Sequence, residues 1–141
     1  MRLVLDTNTV VSGFLWERAE RALIDAAIEE RIELVTSQPL LDELAGVLAR
    51  SKFSDRLAAQ NLTIQALIER YSLVAEVVVP AEISPVMVAD PPDDLVLATA
   101  LAGRVDFIVS GDKRLRNLKS FHGIAIVNAT VAIARISVRP E

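Results

Sequence analysis

The chain contains no cysteine and only one histidine, and these two scarcities exclude several kinds of metal and redox site. Without thiols no disulfide framework can form, which is typical of a cytoplasmic protein. A zinc site built on thiolates is excluded, and so is any site with several histidine ligands. Any bound metal must therefore take its protein ligands mainly from oxygen atoms, which favours Mg²⁺ or Mn²⁺.

Long apolar runs are also missing. No run approaches the ~20 residues that a helix needs to cross a bilayer, so we expect no membrane association. Because Met1 directly precedes the first apolar run, we also expect no signal peptide. The 141 residues are 52% hydrophobic, which is enough for one domain with a core of its own. We predict a single domain over residues 1–136, followed by a short tail over 137–141.

Apolar runs of strand length alternate with stretches of helical periodicity. The predicted strands lie at 2–5, 32–35, 76–79, 107–109 and 124–127, and the predicted helices at 17–30, 38–50, 54–71, 93–103 and 129–136. We expect Thr36 or Ser37 to cap the second of these helices, Gly103 to end the fourth, and Asn128 to cap the last. Strands that alternate with helices predict an α/β fold, a three-layer α/β/α sandwich around a parallel five-stranded sheet.

Acidic residues stand where the predicted strands end or where helices begin. Asp6 follows the first strand, and Asp112 follows the strand over 107–109. Glu43 lies one turn into the helix after the second strand, and Asp93 lies at the start of another helix. Because parallel strands end at one edge of the sheet, we expect these four carboxylates to lie close together.

Each acid has a simpler explanation when it is taken alone, as a helix cap or as a solvated side chain near a helix N-terminus. Four carboxylates in one place repel each other, however, unless a cation neutralises them. A divalent metal would do so, and it could also activate water and stabilise charge on a phosphate. The pattern therefore predicts a metal site that acts on phosphate esters.

Basic residues are outnumbered by acidic ones, and the net charge is −4, so binding to a nucleic acid requires local basic patches. One candidate patch follows Asp112, and a weaker one lies near residue 50; either could be ordinary solvated surface. The first consists of Lys113, Arg114, Arg116 and Lys119, and the second of Arg50, Lys52 and Arg56. Phe14 and Trp16 could stack on bases, although packing in the core or against a partner is the more common role.

Four stretches of the chain resemble the motifs of the PIN domain family. They are residues 3–8, 37–44, 90–94 and 106–112, with the sequences LVLDTN, SQPLLDEL, DPPDD and DFIVSGD. They occur in the order of the family and at roughly its spacing. The chain is most similar to the bacterial and archaeal branch whose members are described as toxins of toxin–antitoxin pairs.

The resemblance implies a metal-dependent ribonuclease that hydrolyses RNA phosphodiester bonds with Mg²⁺ or Mn²⁺. It implies catalytic and metal-binding acids at Asp6, Glu43, Asp93 and Asp112. Asp94 competes with Asp93 for the third position, and Asp94 or Asp90 could assist through water. The same resemblance implies supporting polar groups at Asn8 and Ser110, a strand order of 3-2-1-4-5, a homodimer and an antitoxin partner. The RNA backbone would contact Lys113, Arg114 and Arg116.

Two other functions remain open on the sequence. The domain could bind RNA or an antitoxin with little or no catalysis, although no acidic position is missing. It could also be another magnesium-dependent phosphoryl hydrolase, such as a phosphatase. Phosphatases commonly need an Asp-x-Asp arrangement or a glycine-rich phosphate loop, and here Thr7 and Asn8 follow Asp6 and no such loop exists.

Overall fold

A central sheet of six strands organises the molecule. The computed structural model describes residues 1–86 and 91–137, without the side chains of Pro91 and Pro92. The strands are β1 (Arg2–Leu5), β2 (Glu33–Thr36), β3 (Ala75–Val77), β4 (Phe107–Val109), β5 (Ser120–Phe121) and β6 (Ile124–Val127). Their order across the sheet is β3-β2-β1-β4-β6-β5, and every pair is parallel except β5 with β6.

Helices cover both faces of this sheet. They are α1 (Thr7–Leu15), α2 (Ala19–Ile28), α3 (Gln38–Leu48), α4 (Ser54–Ala59), α5 (Ile64–Val74), α6 (Pro91–Gly103), α7 (Lys113–Arg116) and α8 (Ala129–Ser137). A short 3₁₀ turn, Ser51–Phe53, separates α3 from α4. No helix within these described ranges is long and apolar enough to cross a membrane.

The predicted three-layer α/β fold is confirmed, and the order of its five parallel strands agrees with the structure. The sheet has one strand more than predicted, because β5 adds a short antiparallel edge before β6. Helix α1 was not predicted, and the predicted helix over 54–71 is divided into α4 and α5. The division lies at residues 60–63, where Asn61 adopts a positive φ of 54° that ends α4.

Alternate residues along the strands face two separate cores, as expected for a sheet covered on both sides. Leu3 and Leu5 face the cluster that includes α1, α2, α3 and α5. Val4 and Val35 face the cluster beneath α6. Both clusters consist almost entirely of aliphatic side chains, so burial of their apolar surface holds the layers together.

The end of α6 differs from the sequence prediction in an informative way. Arg104, rather than Gly103, adopts the left-handed conformation, with a φ of 52°. The N–H of Arg104 donates to the carbonyl of Leu101 and that of Val105 donates to Ala100, which together form a Schellman motif. Gly103 has a different role: a Cβ there would lie 2.6 Å from Cγ1 of the buried Val35, so glycine allows α6 to pack closely on β2.

This contact predicts opposite effects for two glycine substitutions. Gly103→Ala should lower the free energy of unfolding by roughly 1–3 kcal/mol, since the stiff Val35 side chain cannot move aside. Gly46→Ala in the last turn of α3, where a Cβ would meet nothing within 4 Å, should raise it by about 0.5–1 kcal/mol. Urea denaturation of both variants measures the difference, and equal stabilities would contradict the proposed contact.

Candidate functional site

A cleft of about 270 Å³ opens at the carboxyl edge of the sheet, next to the ends of β1 and β4. The strand order reverses there, because β2 and β3 lie on one side of β1 and β4 and β6 on the other. Open α/β folds bind their ligands at such a switch point. The cleft is lined by Asp6, Thr7, Asn8, Glu43, Val47, Arg50, Asp93, Val96, Asp112 and Arg114. It therefore contains all four predicted acidic residues.

Asp6 is the most deeply embedded charged group of the cleft, with 8% of its surface exposed. Its Oδ1 accepts a hydrogen bond of 2.9 Å from the Thr9 N–H, so it caps α1. Its Oδ2 accepts a hydrogen bond of 2.5 Å from the Ser110 hydroxyl. Burial raises the pKa of Asp6, the nearby charge of Asp112 adds to this, and the two hydrogen bonds offset it only in part.

Ser110 connects two of the acidic residues. Its hydroxyl is fully buried, donates to Asp6 and accepts a 3.0 Å hydrogen bond from the Asp112 N–H. Asp112 in turn caps α7 through the Arg114 N–H and forms an ion pair of 3.2 Å with the Arg114 guanidinium. Burial alone would raise the pKa of Asp112, but the hydrogen bonds from Arg114 and the charges of Arg114 and Arg116 outweigh it and lower this pKa.

Glu43 approaches the cleft from α3, and its Oε1 accepts a hydrogen bond of 2.5 Å from the Thr7 hydroxyl. Thr7 was not predicted as part of the site, because α1 itself was not recognised. A helix that begins directly after Asp6 would have suggested that Thr7 faces the same cleft. Arg50, which the sequence placed in the weaker basic patch, also lines the cleft; it lies just beyond the end of α3, the helix that carries Glu43.

The two adjacent acids at the start of α6 point to different places. Asp93 is 9% exposed and lines the cleft. Asp94 accepts hydrogen bonds of 3.2 Å from the Val86 N–H on both carboxylate oxygens, and it does not line the cleft. The geometry therefore favours Asp93 as the third acid. Asp90, the other candidate from the sequence, lies outside the described residues.

The remaining predicted residues are divided between the cleft and its surroundings. Asn8 is exposed and lines the cleft, as does Arg114. Lys113 is exposed and does not line it. Arg116 donates a long hydrogen bond of 3.4 Å to the Gly111 carbonyl and lies close enough to affect Asp112. Of the predicted basic triplet, only Arg114 therefore borders the acids directly.

The spacing of the acidic side chains and the kind of donor atom they offer both bear on metal binding. Within residues 1–86 and 91–137, no three acidic or histidine side chains are grouped tightly enough to hold an ion as they stand. The donor set itself consists of carboxylate oxygens, which suit Mg²⁺ and Mn²⁺. Because burial raises the pKa of Asp6 and its hydrogen bonds offset this only in part, a cation at the cleft would favour the ionised carboxylate.

A larger cleft, of about 520 Å³, lies near the beginning of β2 and the end of α5. Three acidic residues line it, and two of them, Glu33 and Glu76, are each 3.0 Å from the Arg2 guanidinium; the third is Glu30. These ion pairs give the two carboxylates a structural role, so the smaller cleft remains the better candidate for chemistry despite its size.

The Ser110 hydroxyl bonds both Asp6 and Asp112, so its loss should lower the stability of the protein. Ser110→Ala should lower the free energy of unfolding by roughly 1–3 kcal/mol, because the buried Asp6 carboxylate loses a donor that water cannot easily replace. Ser120→Ala, at an exposed position in β5, should change it by less than about 0.5 kcal/mol. Chemical denaturation compares the two, and a neutral Ser110→Ala variant would contradict the bridge.

The comparisons with known proteins agree with this geometry. The profile of the PIN domain matches residues 2–114, a segment that contains all four acids of the cleft and ends at Arg114. Searches of curated proteins and of solved structures found no significant match. The PIN domain is a nuclease-type fold. Because the profile matches most of this chain, the chain belongs to the PIN domain family.

Proposed function

We propose that this protein is an endoribonuclease that hydrolyses RNA phosphodiester bonds with Mg²⁺ or Mn²⁺. The observation that carries the proposal is the single cleft in which Asp6, Glu43, Asp93 and Asp112 lie together. Arg50 and Arg114 line the same cleft and supply the positive charge that a polyanionic substrate needs near four carboxylates.

Asp6, Asp93 and Asp112 are the proposed metal ligands, with Glu43 as a further ligand or as the group that orients the attacking water. A divalent ion, when bound, supplies a lower pKa for that water and offsets charge on the phosphate. Asp112 would hold such an ion with the carboxylate that now pairs with Arg114, so metal binding would weaken this ion pair. The released guanidinium would then be available to a phosphate oxygen, to which it can bind in a bidentate manner.

Polar neighbours keep these acids in position. Thr7 occupies one oxygen of Glu43 and leaves the other to accept a proton from water. Ser110 holds the Asp6 carboxylate and the Asp112 backbone together. In the proposed hydrolysis the water oxygen bonds to phosphorus, a P–O bond breaks, and the departing oxygen takes up a proton.

We further propose the cellular role that the sequence resemblance implies. In this role the protein is the toxin of a toxin–antitoxin pair, is held inactive by an antitoxin and forms a homodimer in the cytoplasm. Lys113 and Arg116 would assist Arg114 at the RNA backbone. The nuclease proposal does not depend on this assignment, since it rests on the cleft alone.

The buried charge of Asp6 predicts a trade-off between stability and metal binding. At neutral pH a carboxylate whose pKa is raised by folding costs stability, so Asp6→Asn in EDTA should be more stable by about 0.5–2 kcal/mol. Mn²⁺ should stabilise the wild type, by about 2.7 kcal/mol at a concentration 100 times its Kd, and leave the variant unchanged. Thermal unfolding measures both effects; equal Mn²⁺ responses would remove Asp6 from the metal site.

Cleavage of a labelled mixed-sequence RNA tests the activity itself. The wild type should cut with Mn²⁺ or Mg²⁺ and not with EDTA, while Asp93→Asn and Asp112→Asn should lose at least about 100-fold in rate. Asp42→Asn is the matched control, because Asp42 neighbours Glu43 on α3 but is exposed and bonded only to Gln38. Loss of activity in Asp94→Asn instead of Asp93→Asn would reassign the third acid.

The same assay separates the proposal from its competitors. Folded wild-type protein that binds RNA but cuts none with any metal would support a binding module. Hydrolysis of a small phosphomonoester in preference to RNA would support a phosphatase-type enzyme. Either result would overturn the ribonuclease assignment.

A further inference from the structure

We propose that a second surface, the Trp16 patch, binds the single-stranded RNA that extends out of the cleft. The patch consists of Trp16, Arg18, Lys52, Phe53 and Arg56. The inference rests on the proposed ribonuclease function and extends it, because it assigns substrate binding to residues away from the acids. It concerns RNA held by phosphate contacts, without any base specificity.

Two helices lead from the acids to this patch. Helix α1 begins directly after Asp6 and ends at Leu15, a length of nine residues or about 14 Å, with Trp16 as its C-terminal cap. Helix α3 carries Glu43 and ends shortly before Arg50, which lines the cleft and precedes the 3₁₀ turn that holds Lys52. Arg50 therefore stands between the cleft and the patch along the chain.

The patch is held together by specific contacts. The Arg56 Nε donates a 2.6 Å hydrogen bond to the Leu15 carbonyl, which ties α4 to the end of α1. The rings of Trp16 and Phe53 meet edge to face, with centroids 6.3 Å apart. Phe14 packs edge to face against the buried Tyr71 and is not part of the patch. Both Phe14 and Trp16 also pack against the hydrophobic core, of which Phe53 is a buried member. A preorganised surface of this kind loses less conformational entropy when it binds a ligand.

Cations surround the aromatic rings of the patch. The guanidinium groups of Arg18 and Arg56 lie 5.3 and 5.4 Å from the Trp16 ring centroid, and the Lys52 ammonium lies 5.1 Å from that of Phe53. Cation–π contacts orient these charges without neutralising them. Phe53 is buried, with 8% of its surface exposed, so Trp16 is the ring of the patch that a base can reach. A partly exposed aromatic ring flanked by cations is a common feature of surfaces that bind single-stranded nucleic acids.

The cations of the patch and the neighbouring Arg50 have no acidic partner among the described residues. Across the described ranges, neither Arg18, Arg50, Lys52 nor Arg56 forms an ion pair, although Glu17 and Asp55 are close in sequence. Arg18, Arg50 and Lys52 are exposed, while Arg56 is half-buried. In a protein of net charge −4, unpaired cations next to an acidic cleft favour a polyanion as the ligand.

Because Trp16 is the only tryptophan, its fluorescence reports on this surface directly. In EDTA, where no cleavage is expected, a single-stranded RNA of about twelve nucleotides should quench Trp16, and one of about four should do so weakly. The double variant Arg18→Gln/Lys52→Gln should bind the longer RNA roughly tenfold more weakly and with a smaller salt dependence.

The matched control is Arg104→Gln/Arg135→Gln. It removes the same amount of positive charge near the beginning of β4, at the edge of the sheet opposite the cleft. Arg104 precedes β4, and Arg135 lies over the ring of Phe107, the first residue of that strand. With metal, the patch variant should raise KM for the longer RNA and leave kcat and the cleavage of the short RNA unchanged. The control variant should match the wild type in every measurement.

The outcomes separate this inference from the nuclease proposal. RNA that is cleaved without any change in Trp16 fluorescence or in the KM of the patch variant would overturn the inference and leave the nuclease proposal standing. RNA that quenches Trp16 but is never cleaved would support the patch and overturn the nuclease proposal. Quenching by a poly-glutamate peptide and not by RNA would overturn the inference in favour of an acidic protein partner.

Discussion

The burial of one carboxylate, that of Asp6, is the constraint on which the rest of the site depends. The group lies where β1 meets β4, surrounded by aliphatic strands and nearly closed off from water. An ionised carboxylate in such a place requires hydrogen-bond donors or a cation. The chain supplies the Thr9 N–H and the Ser110 hydroxyl, and these contacts tie the start of α1 to the end of β4. Asp112 lies two residues after Ser110, and its N–H donates to the same Ser110 hydroxyl, so its position depends on the same contacts.

The layers of the fold bring the other acids to the same place. Glu43 lies on α3, which follows the strand on one side of β1, and Asp93 lies on α6, which packs on β2 through Gly103. The four carboxylates thus come from four separate stretches of chain, and rigid helices and strand ends hold each of them. Such a cluster opposes folding through repulsion. Proteins commonly retain this kind of cost at functional sites, where a ligand offsets it.

Much of this arrangement could be predicted from the sequence, and the errors have identifiable causes. The strands were found because short apolar runs bounded by polar residues are distinctive. Helix α1 was missed because residues of low helix propensity make up most of it: the β-branched Thr7, Thr9, Val10 and Val11, and Gly13. Ser37 was correctly placed before α3, but its hydroxyl bonds to Thr99 on α6 instead of capping the helix. The packing of α6 next to the start of α3 therefore decides the hydrogen-bond partner of Ser37.

The sequence by itself determined the five parallel strands, the fold class and the positions of the four acids at strand ends and in the first turns of helices. These features depend on local periodicity and parallel topology. Only the tertiary structure decided that Asp93 faces the cleft while Asp94 binds the Val86 backbone, and that Thr7 and Arg50 join the site. The same holds for the meeting of Trp16 with Arg56. The orientation of a side chain depends on the packing of elements that are distant in sequence, which no local pattern encodes.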